Sequence, residues 1–366
     1  MGDFCPIEGF DHLELYVGNA RQASLFYAKG LGFTQTAYRG LKTGDRKVAS
    51  YVMEQGDIRL VLSTALSPEH PISRSVLQHG DAIATIALRV PDVARAYRET
   101  TNRGAVGAIP PTEEEDAGGI LRYAAIHIYG DTQIKFIDRR DYTGRFAPGF
   151  EATHSSPHLP PHPSMGLQAI DHIVGNVECG TMDRWVQFFA ETLGFELLAH
   201  FDDKIVSTAY SALMSKVMVD GTGQIKLPVN EPAPGKRRSQ IEEYLTYNGG
   251  PGVQHVAFTT DNIIDTVSQL QASGIEFLSV PRSYYRDLES RVGSLDVPIE
   301  KLAKLGILVD RDREGYLFQI FTQPIVDRPT LFFEVIERHG SQGFGEGNFK
   351  ALFESIEREQ ALRGNL

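Results

Sequence analysis

The sequence predicts an α+β fold in which two halves repeat one plan, each half a pair of βαβββ modules, with a closing helix at the C-terminus. At about 150 residues per domain, the 366 residues suffice for two domains. The segment GFDHLELYVGNARQASLFYAKGLGF resembles AIDHIVGNVECGTMDRWVQFFAETLGF, so that His12 matches His172 at an offset of 160 residues (172 − 12). GDAIATIALRVPD and GPGVQHVAFTTDN match at an offset of 170 residues, which aligns Gly104 with Gly274 (274 − 104).

Helices are predicted where apolar residues follow a period of 3.6. In MDRWVQFFAETLGF they recur at i, i+3, i+4, i+7 and i+11, which places them on one helical face. These residues are Met182, Trp185, Val186, Phe189 and Leu193. The same criterion gives a helix in the first half with Val93, Ala96, Tyr97 and Thr100, and an amphipathic helix in the tail with Phe349, Leu352, Phe353 and Ile356.

Strands are predicted where apolar residues alternate. Ile170, His172 and Val174 are every second residue of one predicted strand. Phe332, Glu334 and Ile336 are every second residue of another, so each polar residue has an apolar residue two positions before and after it. Alternate residues of a strand share one face of the sheet. The polar side chains of these two strands are therefore expected to point into apolar surroundings.

The domain boundaries follow from a proline-rich stretch in mid-chain. We expect an N-terminal domain at residues 1–150, a linker EATHSSPHLPPHPSMG at 151–166, and a C-terminal domain at 167–366. The prolines prevent a helix. His154, His158 and His162, although spaced by four residues, would not align on a helical face and are expected to be solvated.

Composition excludes several classes of partner. A formal net charge of −11 without a Lys/Arg block argues against nucleic-acid or polyphosphate binding. No apolar run reaches the roughly 18 to 20 residues of a membrane helix, and the N-terminus shows no signal-peptide pattern. Cys5 and Cys179 are the only cysteines, so no disulfide framework is indicated. The glycines of GFGEGNF do not match a nucleotide-binding GxGxxG. We expect a cytoplasmic protein with a small-molecule ligand.

Three residues on separate predicted strands form a candidate metal site. His172 lies in QAIDHIVGNV, His255 in VQHVAFTT and Glu334 in PTLFFEVIERHG. A lone histidine on an apolar strand is usually a hydrogen-bonded core residue, but a glutamate in such apolar company is costly unless it is paired or metal-bound. Two histidines and one carboxylate leave coordination positions open, as in non-haem Fe(II) oxygenases. The sequence thus predicts an Fe(II) site.

The repeat predicts that the first half holds no metal. At the offset of 170, His255 corresponds to Thr85, and aligning DTQIKF with RPTLFF places Glu334 near Phe136. Only His12 of the three ligands is kept. One imidazole alone does not retain Fe(II), so scaffold and interface roles are expected for the N-terminal half.

Longer motifs carry a resemblance to a known family. The strings NEP, SQIEEYL, GPGVQH, FQIF, DRPT and FFEVIERHG, followed by GFGEGNFKALFESIEREQ, occur in the order seen in 4-hydroxyphenylpyruvate dioxygenases, of the vicinal-oxygen-chelate superfamily. The resemblance runs from about Gly9 to Leu366 and is more specific in the second half. It implies vicinal-oxygen-chelate barrels, a catalytic C-terminal half, one Fe(II) per chain and a homo-oligomer, either a dimer or a tetramer.

The same resemblance implies an activity and a substrate site. The family converts 4-hydroxyphenylpyruvate and O2 to homogentisate and CO2 by oxidative decarboxylation, ring hydroxylation and side-chain migration, in tyrosine and phenylalanine catabolism. The implied substrate-binding residues are Ser211, Asn230, Gln240, Gln254, Gln319, Phe321, Phe332, Phe344 and Phe349. No catalytic side chain beyond the metal ligands is implied. Strand alternation points Gln254 away from its neighbour His255, so Gln254 enters the site only if the strand bulges there.

Two alternatives stay open at this stage. A 4-hydroxymandelate synthase has the same metal set and substrate but hydroxylates the benzylic carbon. A metal-free small-molecule-binding protein of the same fold belongs to another class, and iron content would distinguish it. Glu346 is a departure, since the family more often carries Lys at that position of the glycine loop.

Overall fold

The computed structural model describes residues 4–153, 164–201 and 212–364. Ser211 and the linker residues His154, His158 and His162 lie outside the described residues. Within the described part, no helix is both long enough and apolar enough to cross a membrane.

The first half contains nine strands and three α-helices among the described residues. In chain order they are β1 (Gly9–Tyr16), α1 (Ala20–Leu31), β2 (Thr34–Arg39), β3 (Val48–Gln55), β4 (Ile58–Ala65), α2 (Pro71–His79), β5 (Ala82–Arg89), α3 (Val93–Asn102), β6 (Gly107–Asp116), β7 (Gly119–His127), β8 (Gln133–Asp138) and β9 (Glu151–Ala152). Strand β9 occupies the first two residues of the predicted linker and pairs with β2.

The second half repeats this order with additional short helices. Its elements are β10 (Ile170–Asn176), α4 (Met182–Phe188), β11 (Glu196–Phe201), β12 (Ala212–Val219), β13 (Lys226–Ala233), α5 (Gln240–Asn248), β14 (Gly252–Thr259), α6 (Ile263–Ala272), α7 (Ser283–Arg286), α8 (Leu288–Val292), α9 (Ile299–Leu305), β15 (Leu308–Arg311), β16 (Tyr316–Phe321), β17 (Phe332–His339) and α10 (Phe349–Leu362). Helix α4 continues as a π-helical turn, Phe189–Leu193. The predicted tail helix is present as α10.

Each half forms one sheet, and the two sheets have matching topology. The first runs β6-β7-β8-β5-β1-β4-β3-β2-β9 and the second β11-β12-β13-β10-β14-β17-β16-β15. In both, the first strand of each module pairs parallel with its last strand, as β10 does with β13 and β14 with β17. The two modules of a half join where their first strands run antiparallel, at β10 and β14. The predicted α+β fold of paired βαβββ modules is confirmed.

Local signals explain why the module helices begin and end where they do. Asn19, Asp92 and Asn262 are N-caps, each accepting a hydrogen bond from the backbone N–H three residues ahead. Gly32 and Gly194, both in an LGF motif, terminate helices with φ of 77° and 75°. Glycine takes this left-handed conformation without strain, which accounts for its place in the repeated motif.

The two halves share one hydrophobic core. Tyr129 of the first half is 1% exposed and packs edge-on against Trp185 and Phe189 of the second. Gly175 lies beneath it, and an added Cβ there would come within 2.4 Å of the Tyr129 ring and hydroxyl. The halves are therefore packed against each other by side chains of the same core, which also runs beneath β10.

Candidate metal centre

Three buried side chains on adjacent strands converge in the second half. His172 on β10, His255 on β14 and Glu334 on β17 offer ligand atoms that all lie within 4.8 Å of one another. Oε2 of Glu334 lies 3.3 Å from Nε2 of His172 and 3.5 Å from Nε2 of His255. An ion with bonds of about 2.1 Å needs cis ligands about 3 Å apart, so only a small contraction is required. The group is able to hold a metal ion.

Two β-bulges place a hydrogen-bond acceptor beside each histidine. Between β10 and β14 the register skips Asp171 and again skips Gln254, so that each is the extra residue of its strand. Nδ1 of His172 lies 2.7 Å from Asp171 and Nδ1 of His255 lies 3.0 Å from Gln254. With Nδ1–H donating to these oxygens, both Nε2 atoms are free to bind the metal. The bulge required for Gln254 is therefore present.

The electrostatics of the group follow from its burial and its mutual contacts. Burial opposes the imidazolium of His172, but Glu334 and Asp171 outweigh it and raise the pKa of His172. Burial lowers the pKa of His255. Burial also opposes the carboxylate of Glu334, but the two histidines hold the pKa of Glu334 below its usual value. A metal ion would compete with protons for these ligand atoms.

An aromatic cavity adjoins the three ligands. It has an empty volume of about 640 Å³, including its open mouth. Besides the ligands, it is lined by Val174, Phe201, Leu213, Ser215, Val217, Pro228, Asn230, Gln240, Gln254, Phe321, Phe332, Phe344, Phe349, Leu352, Phe353 and Ile356. Helix α10 contributes the last four of these residues, Phe349 to Ile356, so the closing helix forms one wall of the cavity.

Polar groups are few in this cavity and lie on neighbouring elements. Asn230 on β13 donates to Asn176 at 3.4 Å, and Ser215 on β12 is its cross-strand partner. Oε1 of Gln240, at the start of α5, is buried without a hydrogen-bond partner among the described residues. These groups are placed to receive a polar end of a ligand.

Three phenylalanines lie against the rings of the two histidines. Phe332 stacks on His255 at 4.7 Å between centroids, and Phe321 meets the same ring edge-on at 6.0 Å. Phe344 lies edge-on to His172 at 5.2 Å. Such walls exclude water from the ligands.

Gln319 occupies a different position from the other predicted site residues. It is 1% exposed, and it is not among the residues that line the cavity. A Cβ at Gly345 would come within 2.3 Å of its Oε1, so the glycine before α10 lies directly over this amide. Gln319 thus supports the segment leading to the closing helix.

Several residues of the site were missed by the sequence argument. Ser215 lines the cavity, whereas Ser211 lies outside the described residues. Asp171 and the Arg338 that binds it were also missed, although the DH pair of the second half repeats the DH pair at Asp11. The repeated dipeptide was the available signal.

The strand pairing identifies the counterpart of Glu334 in the first half, which the sequence places near Phe136. Thr85 pairs with Gln133 as His255 pairs with Phe332, so Lys135, the neighbour of Phe136, corresponds to Glu334. Burial lowers the pKa of the Lys135 ammonium, which lies 4.2 Å over the Tyr123 ring.

Comparisons with known proteins cover both halves. The profile of the Glyoxalase/Bleomycin resistance protein/Dioxygenase superfamily matches residues 9–129 and 169–320. The chain is 45% identical to a 4-hydroxyphenylpyruvate dioxygenase of Yarrowia lipolytica, over 98% of this chain and 93% of that protein. It is 44% identical to one of Danio rerio, over 98% and 92%. A mutant 4-hydroxymandelate synthase from Streptomyces coelicolor superposes with a TM-score of 0.86 at 31% identity, over 97% and 99%.

Proposed function

The chain belongs to the 4-hydroxyphenylpyruvate dioxygenase family, and from this premise we propose that it converts 4-hydroxyphenylpyruvate and O2 to homogentisate and CO2. The observation that carries the proposal is the convergence of His172, His255 and Glu334 at the cavity lined by phenylalanines. Two imidazoles and one carboxylate suit Fe(II) and leave room for further ligands. We propose one Fe(II) per chain at this site.

The protein's contribution is to orient the substrate and to keep the reaction dry. Fe(II) held by the three ligands supplies the redox chemistry with O2. Phe321 and Phe349 are proposed to clamp the aromatic ring, while Asn230 and Gln240 receive the phenol. Ser211, Gln254, Phe332 and Phe344 complete the proposed contacts, and Gln319 acts through the glycine over it. No general base is needed, because the neutral polar groups only fix the ring.

A single experiment tests this function. The protein is loaded with Fe(II) without oxygen and then mixed with 4-hydroxyphenylpyruvate and O2, and the acids formed are separated by liquid chromatography. We expect homogentisate and CO2 in amounts equal to the O2 consumed. A parent protein that makes mainly 4-hydroxymandelate would be a synthase, and one that binds no iron would belong to the metal-free class.

The assembly and the location of the protein stay predictions from the sequence. We propose a homo-oligomer, either a dimer or a tetramer, in the cytoplasm. Light scattering of the purified full chain distinguishes the two assemblies from a monomer.

A further inference from the structure

One arginine contacts both Asp171, the partner of the ligand His172, and the segment that leads to the closing helix. Arg338 lies at the end of β17, four residues after Glu334. We infer that Arg338 is a positioning residue that couples the closed state of the glycine segment, residues 340–347, to the orientation of the metal ligand His172. This inference rests on the proposed metal site and names a residue that acts on it through another.

The first contact of Arg338 fixes the histidine. Its Nε donates to Oδ1 of Asp171 and its Nη2 to Oδ2, both at 2.8 Å, which makes a bidentate ion pair. Asp171 in turn lies 2.7 Å from Nδ1 of His172. Because the guanidinium is planar, it fixes the plane of the carboxylate, and the carboxylate fixes the tautomer and the rotation of the imidazole.

The second contact of Arg338 fixes the backbone of the glycine segment. Its Nη1 donates to the carbonyl of Gly343 at 2.7 Å and to that of Ser341 at 3.2 Å. Asp312 holds the opposite side of the same backbone, accepting from the N–H groups of Gln342 and Gly343 at 3.0 Å. The segment is thus held between a cation and an anion.

Phe344 completes the connection. Its ring lies 5.9 Å from the Arg338 guanidinium and meets His172 edge-on at 5.2 Å. Helix α10 begins five residues later, at Phe349. Displacement of the glycine segment would therefore withdraw two hydrogen bonds from Arg338 and a ring from His172 together.

The first half contains a second copy of this arrangement. Arg139 binds Asp11 through Nε and Nη2 at 2.6 and 2.8 Å, and Asp11 lies 2.5 Å from Nδ1 of His12. Arg139 also donates to the carbonyl of Phe146, whose ring meets His12 edge-on at 5.1 Å. The copy has no metal set among the described residues, so it provides a matched control within the same chain.

The test compares Arg338→Met with Arg139→Met in the full chain. Each substitution removes one partly buried guanidinium, with side-chain exposures of 15% and 20%, and keeps an unbranched apolar stem. For Arg338→Met we expect the dissociation constant for Fe(II), measured by chelator competition, to rise by about 10- to 100-fold. Backbone hydrogen exchange at residues 341–349 of the metal-free protein should accelerate about tenfold, since two hydrogen bonds are lost. Arg139→Met should change neither quantity.

A second pair of variants guards against misfolding. Arg338→Lys and Arg139→Lys keep the charge, but lysine cannot form the bidentate pair and reach the backbone together. If Arg338→Met is insoluble, the lysine variants decide. Faster hydrogen exchange and weaker Fe(II) binding in Arg338→Lys but not in Arg139→Lys support the inference. Equal effects in the two halves overturn it. A parent that binds no Fe(II) overturns the proposed function instead, while the exchange comparison still decides whether Arg338 holds the segment.

Discussion

The two histidine ligands have different partners, and this difference sets their basicity. His172 is backed by a carboxylate and His255 by a neutral amide, at 2.7 and 3.0 Å. A carboxylate that accepts the Nδ1–H bond raises the basicity of the imidazole and makes it a stronger metal ligand than one whose partner is a neutral amide. Burial opposes the charged form of both rings; at His172 the carboxylates of Glu334 and Asp171 outweigh it and raise the pKa, whereas at His255 burial outweighs Glu334 and lowers the pKa.

Removing any one ligand should abolish iron binding. In His172→Ala, His255→Ala or Glu334→Ala, we expect Fe(II) content and turnover to fall to background, because each variant loses one of three ligands. The equally buried His12→Ala is the control and should keep its iron. Iron content and circular dichroism are measured together. Full activity in any of the three variants would contradict the metal assignment.

Iron binding should weaken as the pH falls. The raised pKa of His172 means that in the metal-free protein its ion pair with Glu334 is fully present below the unfolded value of 6.5 and is lost as pH rises through the folded pKa. Fe(II) must displace that proton. Its affinity should therefore fall about tenfold per pH unit below pH 6.5 and be less dependent on pH well above the folded pKa. Chelator competition from pH 5.5 to 8.5 measures it, and a flat profile would exclude the displacement.

Loosening the ring clamp should change the product. In Phe321→Ile we expect some flux to shift from homogentisate to 4-hydroxymandelate, because the benzylic carbon gains access to the metal side. A change of about 1.4 kcal/mol suffices for a tenfold change in product ratio. Phe318→Ile alters the opposite face of β16 and is the control, since Phe318 packs into the core. If neither ratio nor rate changes in Phe321→Ile, the residue serves only packing.

At the scale of elements, the closing helix completes the cavity rather than merely ending the chain. Helix α10 contributes Phe349, Leu352, Phe353 and Ile356 to the lining, and its far end is tied to α5 by Arg363, 2.7 Å from Glu243. One face of a single helix therefore serves as both core and site wall.

Deleting the chain from Asn348 onward should uncover the cavity. We expect homogentisate formed per O2 consumed to fall before iron is lost, because water gains access while the ligands on the sheet remain. Leu352→Ala should show a smaller form of the same effect. Leu362→Ala on the same helix, where the side chain is 77% exposed, should not. If the truncated chain is soluble and forms as much homogentisate per O2 consumed as the parent, the closing helix is not needed to protect the reaction.

The sequence predicts elements better than it predicts the bulges between them. The spacing of apolar residues predicted α4, α10 and the strands that carry the ligands, because this spacing is a property of one short segment. The positions of Asp171 and Gln254 depend on how β10 and β14 pair, and pairing register is a property of two distant segments. For the same reason the sequence places the first-half counterpart of Glu334 only near Phe136, whereas the pairing of β5 with β8 identifies it as Lys135.

The two halves of the molecule share one fold but differ in whether they can hold a metal ion. Both keep the Arg–Asp–His arrangement, but a lysine stands in the first half where the second has its carboxylate ligand. A partly buried ammonium close enough to His12 to lower the pKa of that imidazole, after burial itself, would also repel a cation. The first half instead contributes Tyr129 to the core beneath the strand that bears His172.

The close packing between halves predicts a specific cost for one added methyl group. In Gly175→Ala the new Cβ would meet the Tyr129 ring at 2.4 Å, a distance that carbon atoms do not adopt. Tyr129 is fully enclosed and cannot move aside, so we expect the free energy of unfolding to fall by about 1–3 kcal/mol. Gly221→Ala is the control, because Gly221 has open space at its Cβ and no positive φ. Urea denaturation of both variants measures the difference. Because β10 also carries His172, displacement of this strand should weaken Fe(II) binding in Gly175→Ala but not in Gly221→Ala. Equal stability of the two variants would show that the packing between the halves accommodates the added methyl group.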